Sequence, residues 1–265
     1  MPQLLTAEEA PNGADEAWRQ ILARAAARQG ASDLSGPLAD LFGPVLDGAA
    51  AGAYVVAHLG QSLDGRIALP DGQFHHVTSP DDATHNHRLR ALCDAVIVGA
   101  WTAELDDPQL TVRMVEGDNP VRVIVDPRRR LNPGLGVFSD GAAPTLLICT
   151  ADAAAGAVHH GDAEIVSLPA LDGARLSPRS ITGALAARGL TSLFVEGGGV
   201  TVSHFIEAGL LDRLHIAVAP TLLGDGTPVV TLPGIERIDE ARRLSVRPFE
   251  LGDELLYDCV FDDGS

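Results

Sequence analysis

The chain has 265 residues, 46% of them apolar and 21% charged, the composition of a globular protein that can bury a core without disulfides. A formal net charge of −17 excludes non-specific nucleic-acid binding, which needs a basic face. An anionic ligand would have to be met by a local arginine cluster set against that field.

In chain order, residues 1–50 read as an N-terminal extension. Ala14 to Arg28 has helical spacing, with Trp18, Ile21, Leu22 and Ala25 on one face and Gly30 as the stop. Gly36-Pro37 and Gly43-Pro44 are expected to break structure around short apolar runs, and Gly48 to Ala53 reads as a linker. The extension is expected to pack on the main domain, residues 51–265, or on a partner subunit. Tyr54 to Leu59 is the first strong strand, followed by a turn at Asp64-Gly65 and a short extended piece from Arg66 to Leu69. Ser79-Pro80-Asp81-Asp82 starts a helix: serine cap, proline at the first position, carboxylates in the first turn. That helix runs to about Leu92.

Ala95 to Val98, Val121 to Val125, Thr145 to Cys149 and, more weakly, Glu164 to Leu168 read as buried strands. Ser177-Pro178 opens a helix with Ile181, Ala184 and Leu185 inward and Gly189 as its stop. Leu193 to Val195 is a strand that runs into Glu196, Gly197, Gly198 and Gly199, then a helix carrying Val202, Phe205 and Ile206. Apolar strands alternating with helices predict an α/β fold: a mostly parallel sheet with helices on both faces. His215 to Ala219, Leu244 to Phe249 and Leu255 to Phe261 have little helix between them. The carboxyl end is therefore expected to be antiparallel, with a hairpin turn at Gly252-Asp253.

Ligands in open α/β sheets bind beyond the carboxyl ends of the strands. Four segments put glycine or polar residues at such ends: Gly60 to Gly65, Gly99 to Thr102, Asp126 to Arg130 and Glu196 to Gly199. The last is a strand-to-helix turn whose free amides and helix N-terminus suit a phosphate. Alone, a glycine turn can equally serve only to bend the chain. Arg128-Arg129-Arg130 is the one dense basic run, and both a 2′-phosphate site and a solvated turn fit it. Cys93, Cys149 and Cys259 have no metal-ligand spacing and read as buried reduced thiols. His75-His76 and His85-x-His87 are adjacent or on different helix faces. They read as surface histidines, and no metal is expected. No apolar run approaches the roughly 18 residues of a membrane span, and no secretory signal is evident. The expectation is a cytoplasmic protein with no membrane partner.

Six stretches in order carry a resemblance: Ser62-Leu-Asp-Gly-Arg-Ile-Ala68, Val77-Thr-Ser-Pro80, Asp94-Ala-Val-Ile-Val-Gly99, Thr102-x-x-x-Asp-Asp-Pro-x-Leu-Thr-Val-Arg113, Val195-Glu-Gly-Gly198 and Ala219-Pro-x-Leu-Leu-Gly224. Over residues 53–262 the chain resembles the reductase half of the bacterial riboflavin-biosynthesis deaminase/reductase. The resemblance implies a dihydrofolate-reductase-like fold, a homodimer, and NADPH-dependent reduction of a ribosyl to a ribityl group on a phosphorylated aminopyrimidine. It implies that Thr102 and Asp106 line the cofactor site and that Gly198, Gly199, Val200 and Thr201 cradle its pyrophosphate. Gly60, Gly197 and Arg128 are assigned to the same site, and His76 stacks near the nicotinamide where the family has tryptophan. Arg90, Leu110, Arg113 and Glu196 would hold the small phosphorylated substrate, with Glu196 as the catalytic carboxylate. Hydride transfer belongs to the cofactor, and the protein supplies position and electrostatics. No His-x-Glu with Pro-Cys-x-x-Cys is present, so no zinc deaminase is expected. His58 stands where the family has lysine, and Phe74-His75-His76 where it has Ser-x-Trp. These departures bear on the substrate. A reductase of another pyrimidine or of a pterin such as dihydrofolate is one alternative, and a non-catalytic nucleotide-binding domain is another.

Overall fold

A computed structural model describes residues 3–4, 11–70, 77–171 and 173–261. Strand β1 (Gln3–Leu4) and helices α1 (Pro11–Ala26) and α2 (Pro37–Ala51) precede strands β2 (Tyr54–Ser62) and β3 (Arg66–Ala68). There follow α3 (Pro80–Leu92), β4 (Ala95–Gly99), α4 (Ala100–Asp106), β5 (Val121–Val125), β6 (Thr145–Thr150), α5 (Ala151–Ala154), β7 (His159–His160) and β8 (Ala163–Leu168). Next come α6 (Pro178–Ala186), β9 (Ser192–Gly197), α7 (Gly199–Glu207), β10 (Arg213–Ala219), β11 (Thr227–Pro228), β12 (Ser245–Leu251) and β13 (Glu254–Val260).

One eleven-stranded sheet runs β1-β12-β13-β10-β2-β9-β4-β5-β6-β8-β7. From β10 to β8 every neighbouring pair is parallel, and β13 pairs antiparallel with both β10 and β12. The expected mixed α/β architecture with an antiparallel carboxyl end is therefore present. The near-continuous apolar strands follow from burial on both faces. Val56, Val96, Phe194, Ile124 and Leu147 point into one core with Leu41, Phe42, Leu46 and Leu89 of α2 and α3. Their neighbours Ala57, Ile97, Val195, Val123 and Ile148 point into a second core with Leu185 of α6 and Val202, Phe205 and Ile206 of α7. Ser79 caps α3 as its sequence predicts, its hydroxyl accepting from the Asp82 amide.

Three local expectations are corrected. The expected break at Gly36-Pro37 is present and starts helix α2, but the supposed break at Gly43-Pro44 and most of the supposed linker lie within that one continuous helix, Pro37–Ala51, with Pro44 inside it. Leu41, Phe42, Val45, Leu46 and Ala49 are all buried, and this packing outweighs the hydrogen bond that Pro44 removes. Gly48 belongs there because a methyl group would fall 1.9 Å from the Tyr54 ring. Secondly, in Asp106 to Arg113 the Asp-Asp-Pro reads as a turn and the Leu-Thr-Val-Arg as extended, whereas Leu110 has φ +53° and the run lies in no sheet. Thirdly, His85 and His87 are buried, not on the surface.

Candidate active site

The carboxyl ends of β2, β4, β5 and β9 open into one cleft of about 1360 Å³. Gly60, Gly99, Asp126 and Glu196 line it at those ends. Parallel strands make this convergence inevitable, because all their carboxyl ends share one edge of the sheet. At the edge of β9 the chain turns through Gly197, at φ +140°, and the Gly197–Gly198 peptide is cis. Only glycine takes that φ freely. α7 begins at Gly199, and its first amides have no acceptor within the helix. The turn is closely packed. A methyl on Gly99 would sit 2.5 Å from Thr201 Oγ1, one on Gly198 3.0 Å from Thr102 Oγ1, and one on Gly199 2.3 Å from the Val229 carbonyl oxygen. The Ser203 hydroxyl donates to the Gly199 carbonyl at 2.7 Å and accepts the Thr231 amide at 2.8 Å, holding residues 229–231 over the start of α7.

On the far side of Glu196, α3 supplies the polar groups. Arg90 is buried and grips Glu196 with both prongs of its guanidinium, Nε to Oε2 at 2.7 Å and Nη2 to Oε1 at 2.5 Å. Its Nη1 donates to the Thr111 carbonyl at 3.0 Å. Burial works to lower the Arg90 pKa, and the Glu196 charge and hydrogen bond outweigh it. Arg113 is exposed at the rim, with Nη1 donating to Thr111 Oγ1 at 2.8 Å. Its backbone amide donates to His87 Nδ1 at 2.9 Å. Burial first, then Arg90 and Arg113, push His87 down to about 4. Leu110 is buried in the cleft wall.

The sequence-assigned residues Gly60, Thr102, Asp106, Gly198, Gly199, Val200, Thr201, Arg128, Arg90, Leu110, Arg113 and Glu196 all line this cleft. Gly197 lies in the turn that closes it. His76 and Phe74 lie outside the described residues. The basic run divides. Arg129 turns away, its guanidinium reaching the Ala154 and His159 carbonyl oxygens. Arg130 pairs with Glu104 at 2.6 Å. Arg128 is exposed, lines the cleft and has no hydrogen-bond partner among the described residues. Sequence reasoning passed over Arg175 and His204, which also line the cleft. It also passed over Asp82, read only as a first-turn helix acid. Asp82 lies 2.9 Å from His58 Nε2, with both residues 2% exposed. No local pattern marks that pair, since only the crossing of α3 over β2 joins it.

The RibD C-terminal domain family matches residues 53–251 of the chain. The chain is 33% identical over 211 residues to the 2,5-diamino-6-ribosylamino-4(3H)-pyrimidinone 5′-phosphate reductase of Methanothermobacter thermautotrophicus, covering 77% of this chain and 95% of that protein. It is 32% identical over 206 residues to the riboflavin biosynthesis protein RibD of Aquifex aeolicus, covering 77% of this chain and 56% of that protein. The chain thus spans about half the length of that RibD relative and nearly all of the pyrimidinone phosphate reductase. Among solved structures, Acinetobacter baumannii RibD superposes with a TM-score of 0.68 at 23% identity, over 85% of this chain and 63% of that one.

Proposed function

The chain belongs to the RibD C-terminal domain family, and on that footing we propose that it is an NADPH-dependent reductase of a phosphoribosylaminopyrimidine, converting the ribosyl to a ribityl group. The observation that carries the reading is the single cleft that joins the glycine turn of α7 to the Arg90–Glu196 pair and Arg113. Its volume, about 1360 Å³, exceeds the roughly 300–1,000 Å³ of a small-molecule pocket and suits a dinucleotide beside a second ligand.

The residues present fit a dinucleotide. The free amides at Gly199 and Val200 suit a pyrophosphate, and no side chain could stand at Gly199 without meeting Val229. Thr102 and Thr201 flank that turn. Arg128, unpaired among the described residues, is the group for a 2′-phosphate. When bound, NADPH supplies the hydride, and the chain's residues position the acceptor. Arg90 is committed to Glu196, so Arg113 is the cation left for the substrate phosphate, while Arg90 orients Glu196 toward the substrate's hydroxyls or amine. Leu110 walls the ring. The same reading makes the protein a cytoplasmic homodimer, with residues 1–50 as an extension of the reductase domain. No described helix is long and apolar enough to cross a membrane.

The test follows NADPH absorbance with the phosphoribosylaminopyrimidine and, separately, with dihydrofolate. Oxidation with the first alone is expected, and oxidation with dihydrofolate alone would move the protein to pterin chemistry. No calorimetric binding of NADPH or NADH at about millimolar levels would remove the reductase reading. Arg128→Ala should weaken NADPH and leave NADH unchanged. Sedimentation over a range of concentrations checks the dimer.

A further inference from the structure

α3 sets polar side chains against three neighbouring strands: Asp82 on His58 of β2, His85 on His215 of β10, and Arg90 on Glu196 of β9. His58 and His215 are cross-strand partners. His58 follows Ala57, which pairs with Val195, so His58 and Glu196 stand level on adjacent strands and both line the cleft.

The charges in this row can be assigned. Asp258, behind His215, has Arg213 as its cation. Glu254 faces α3 from the start of β13 and accepts from the Ser79 amide and hydroxyl, both at 2.8 Å. Glu196 has Arg90. Asp82 contacts one basic group among the described residues, His58 at 2.9 Å. A buried carboxylate without a counter-charge is strongly disfavoured. Burial works to raise the Asp82 carboxyl, and the adjacent His58, with the Thr78 hydroxyl, outweighs it and holds the carboxyl below its usual range. His85 is held neutral by burial, with His215, His58 and Arg88 adding to the effect. Burial also lowers His215 against the pull of Asp258. Of the other histidines on the cleft, His87 faces Arg90 and Arg113, and His204 faces Arg175. Arg90 holds both oxygens of Glu196 and leaves their remaining lone pairs to the substrate. Among the described histidines that line the cleft, His58 is the one in contact with a carboxylate.

We propose that His58 and Asp82 are the proton-holding pair of this cleft, His58 as the acid that protonates the ribosyl ring oxygen and Asp82 as the positioning residue that holds the imidazole in place. The proposal rests on the reductase reading. Turning a ribosyl into a ribityl group breaks the bond between the anomeric carbon and the ring oxygen. The anomeric carbon gains a hydride from the reduced dinucleotide, so oxidation of the dinucleotide balances reduction of the sugar. The ring oxygen keeps the electron pair of the broken bond and takes a proton from His58, becoming a hydroxyl. His58 is left neutral beside Asp82 and regains a proton from water.

The experiment compares native protein, His58→Gln, His58→Lys and Asp82→Asn by kcat against pH, dinucleotide Kd and imidazole ¹⁵N shifts. His58→Gln should lower kcat by roughly 10²–10⁴-fold with dinucleotide Kd unchanged, and His58→Lys should restore part of it. Asp82→Asn should move the alkaline limb of the profile to lower pH. The ¹⁵N shifts should report both His58 nitrogens protonated in the native protein at neutral pH and a neutral ring in Asp82→Asn. Activity of His58→Gln within about threefold of native, on an unchanged profile, overturns the pair and leaves the reductase standing. A neutral His58 in the native protein does the same. Native protein that binds dinucleotide but turns over no substrate overturns the reductase reading itself. Should His58→Gln fail to fold, the native ¹⁵N shifts and the Asp82→Asn profile decide.

Discussion

At the residue scale, Arg90 and Arg113 have different tasks although both are arginines of one cleft. Arg90 spends its fork on Glu196, whereas Arg113 sits at the rim with one bond to a hydroxyl. Arg113→Ala should therefore raise the substrate KM and leave NADPH affinity nearly unchanged. A charge-assisted hydrogen bond is worth about 1.5–3 kcal/mol, roughly ten- to a hundredfold. Loss of NADPH binding with substrate binding intact would put this arginine on the cofactor instead. His87 gives a second expectation. Its value falls from 6.5 to about 4 on folding, through burial first and then Arg90 and Arg113. The unfolded chain takes that proton before the folded protein does. The His87 contribution to stability is thus fully present above about 6.5 and is lost as pH falls toward about 4. Thermal midpoints should decline across that window, and less steeply in His87→Gln. Equal slopes for the two proteins would show that His87 does not carry the linkage.

The elements differ in how openly the sequence announces them. The strands of the parallel sheet were legible because each is a short apolar run ending in glycine or a polar residue, and those ends meet on one edge whatever the helices do. Gly60, Gly99, Arg128 and Glu196 therefore reach one cleft as their positions predict. α2 was not legible, because glycine and proline are local signals and its helix is held by distant contacts. Leu110 was hidden for a similar reason. Its left-handed backbone is imposed by the turn that buries it, and leucine carries no mark of that conformation. The glycines of the α7 turn were read as giving backbone access, and the structure adds a steric cause. A methyl on Gly199 would press to 2.3 Å on the Val229 carbonyl oxygen, a backbone atom that cannot rotate away. Gly199→Ala should displace residues 229–231 and cost NADPH affinity well beyond the change in thermal midpoint. If calorimetry gives native NADPH affinity for Gly199→Ala, the turn tolerates a side chain and is not a tight cradle.

Across the whole molecule, the amino-terminal helices and the reductase cleft share one core. Phe42 of α2 is fully buried, lies edge-on to Trp18 of α1 at 5.8 Å and stacks on His85 of α3 at 5.3 Å. His85 in turn meets His215 at 3.0 Å, beside His58. The segment expected to pack on the main domain or on a partner subunit thus packs behind the row of histidines at the cleft. The six ordered stretches of the resemblance begin after it, at Ser62, which is why sequence alone left its role open. Two consequences separate a shared core from an appended one. Replacing Phe42 by alanine removes a large buried ring, and such truncations cost about 3–5 kcal/mol. Denaturant midpoints of Phe42→Ala should fall accordingly, in a single cooperative transition. The variant should also lose kcat out of proportion to NADPH affinity, because the ring supports His85 and lies far from the glycine turn in the chain of contacts. An appended extension predicts the opposite: a separate early transition that leaves the main unfolding step and kcat where they were.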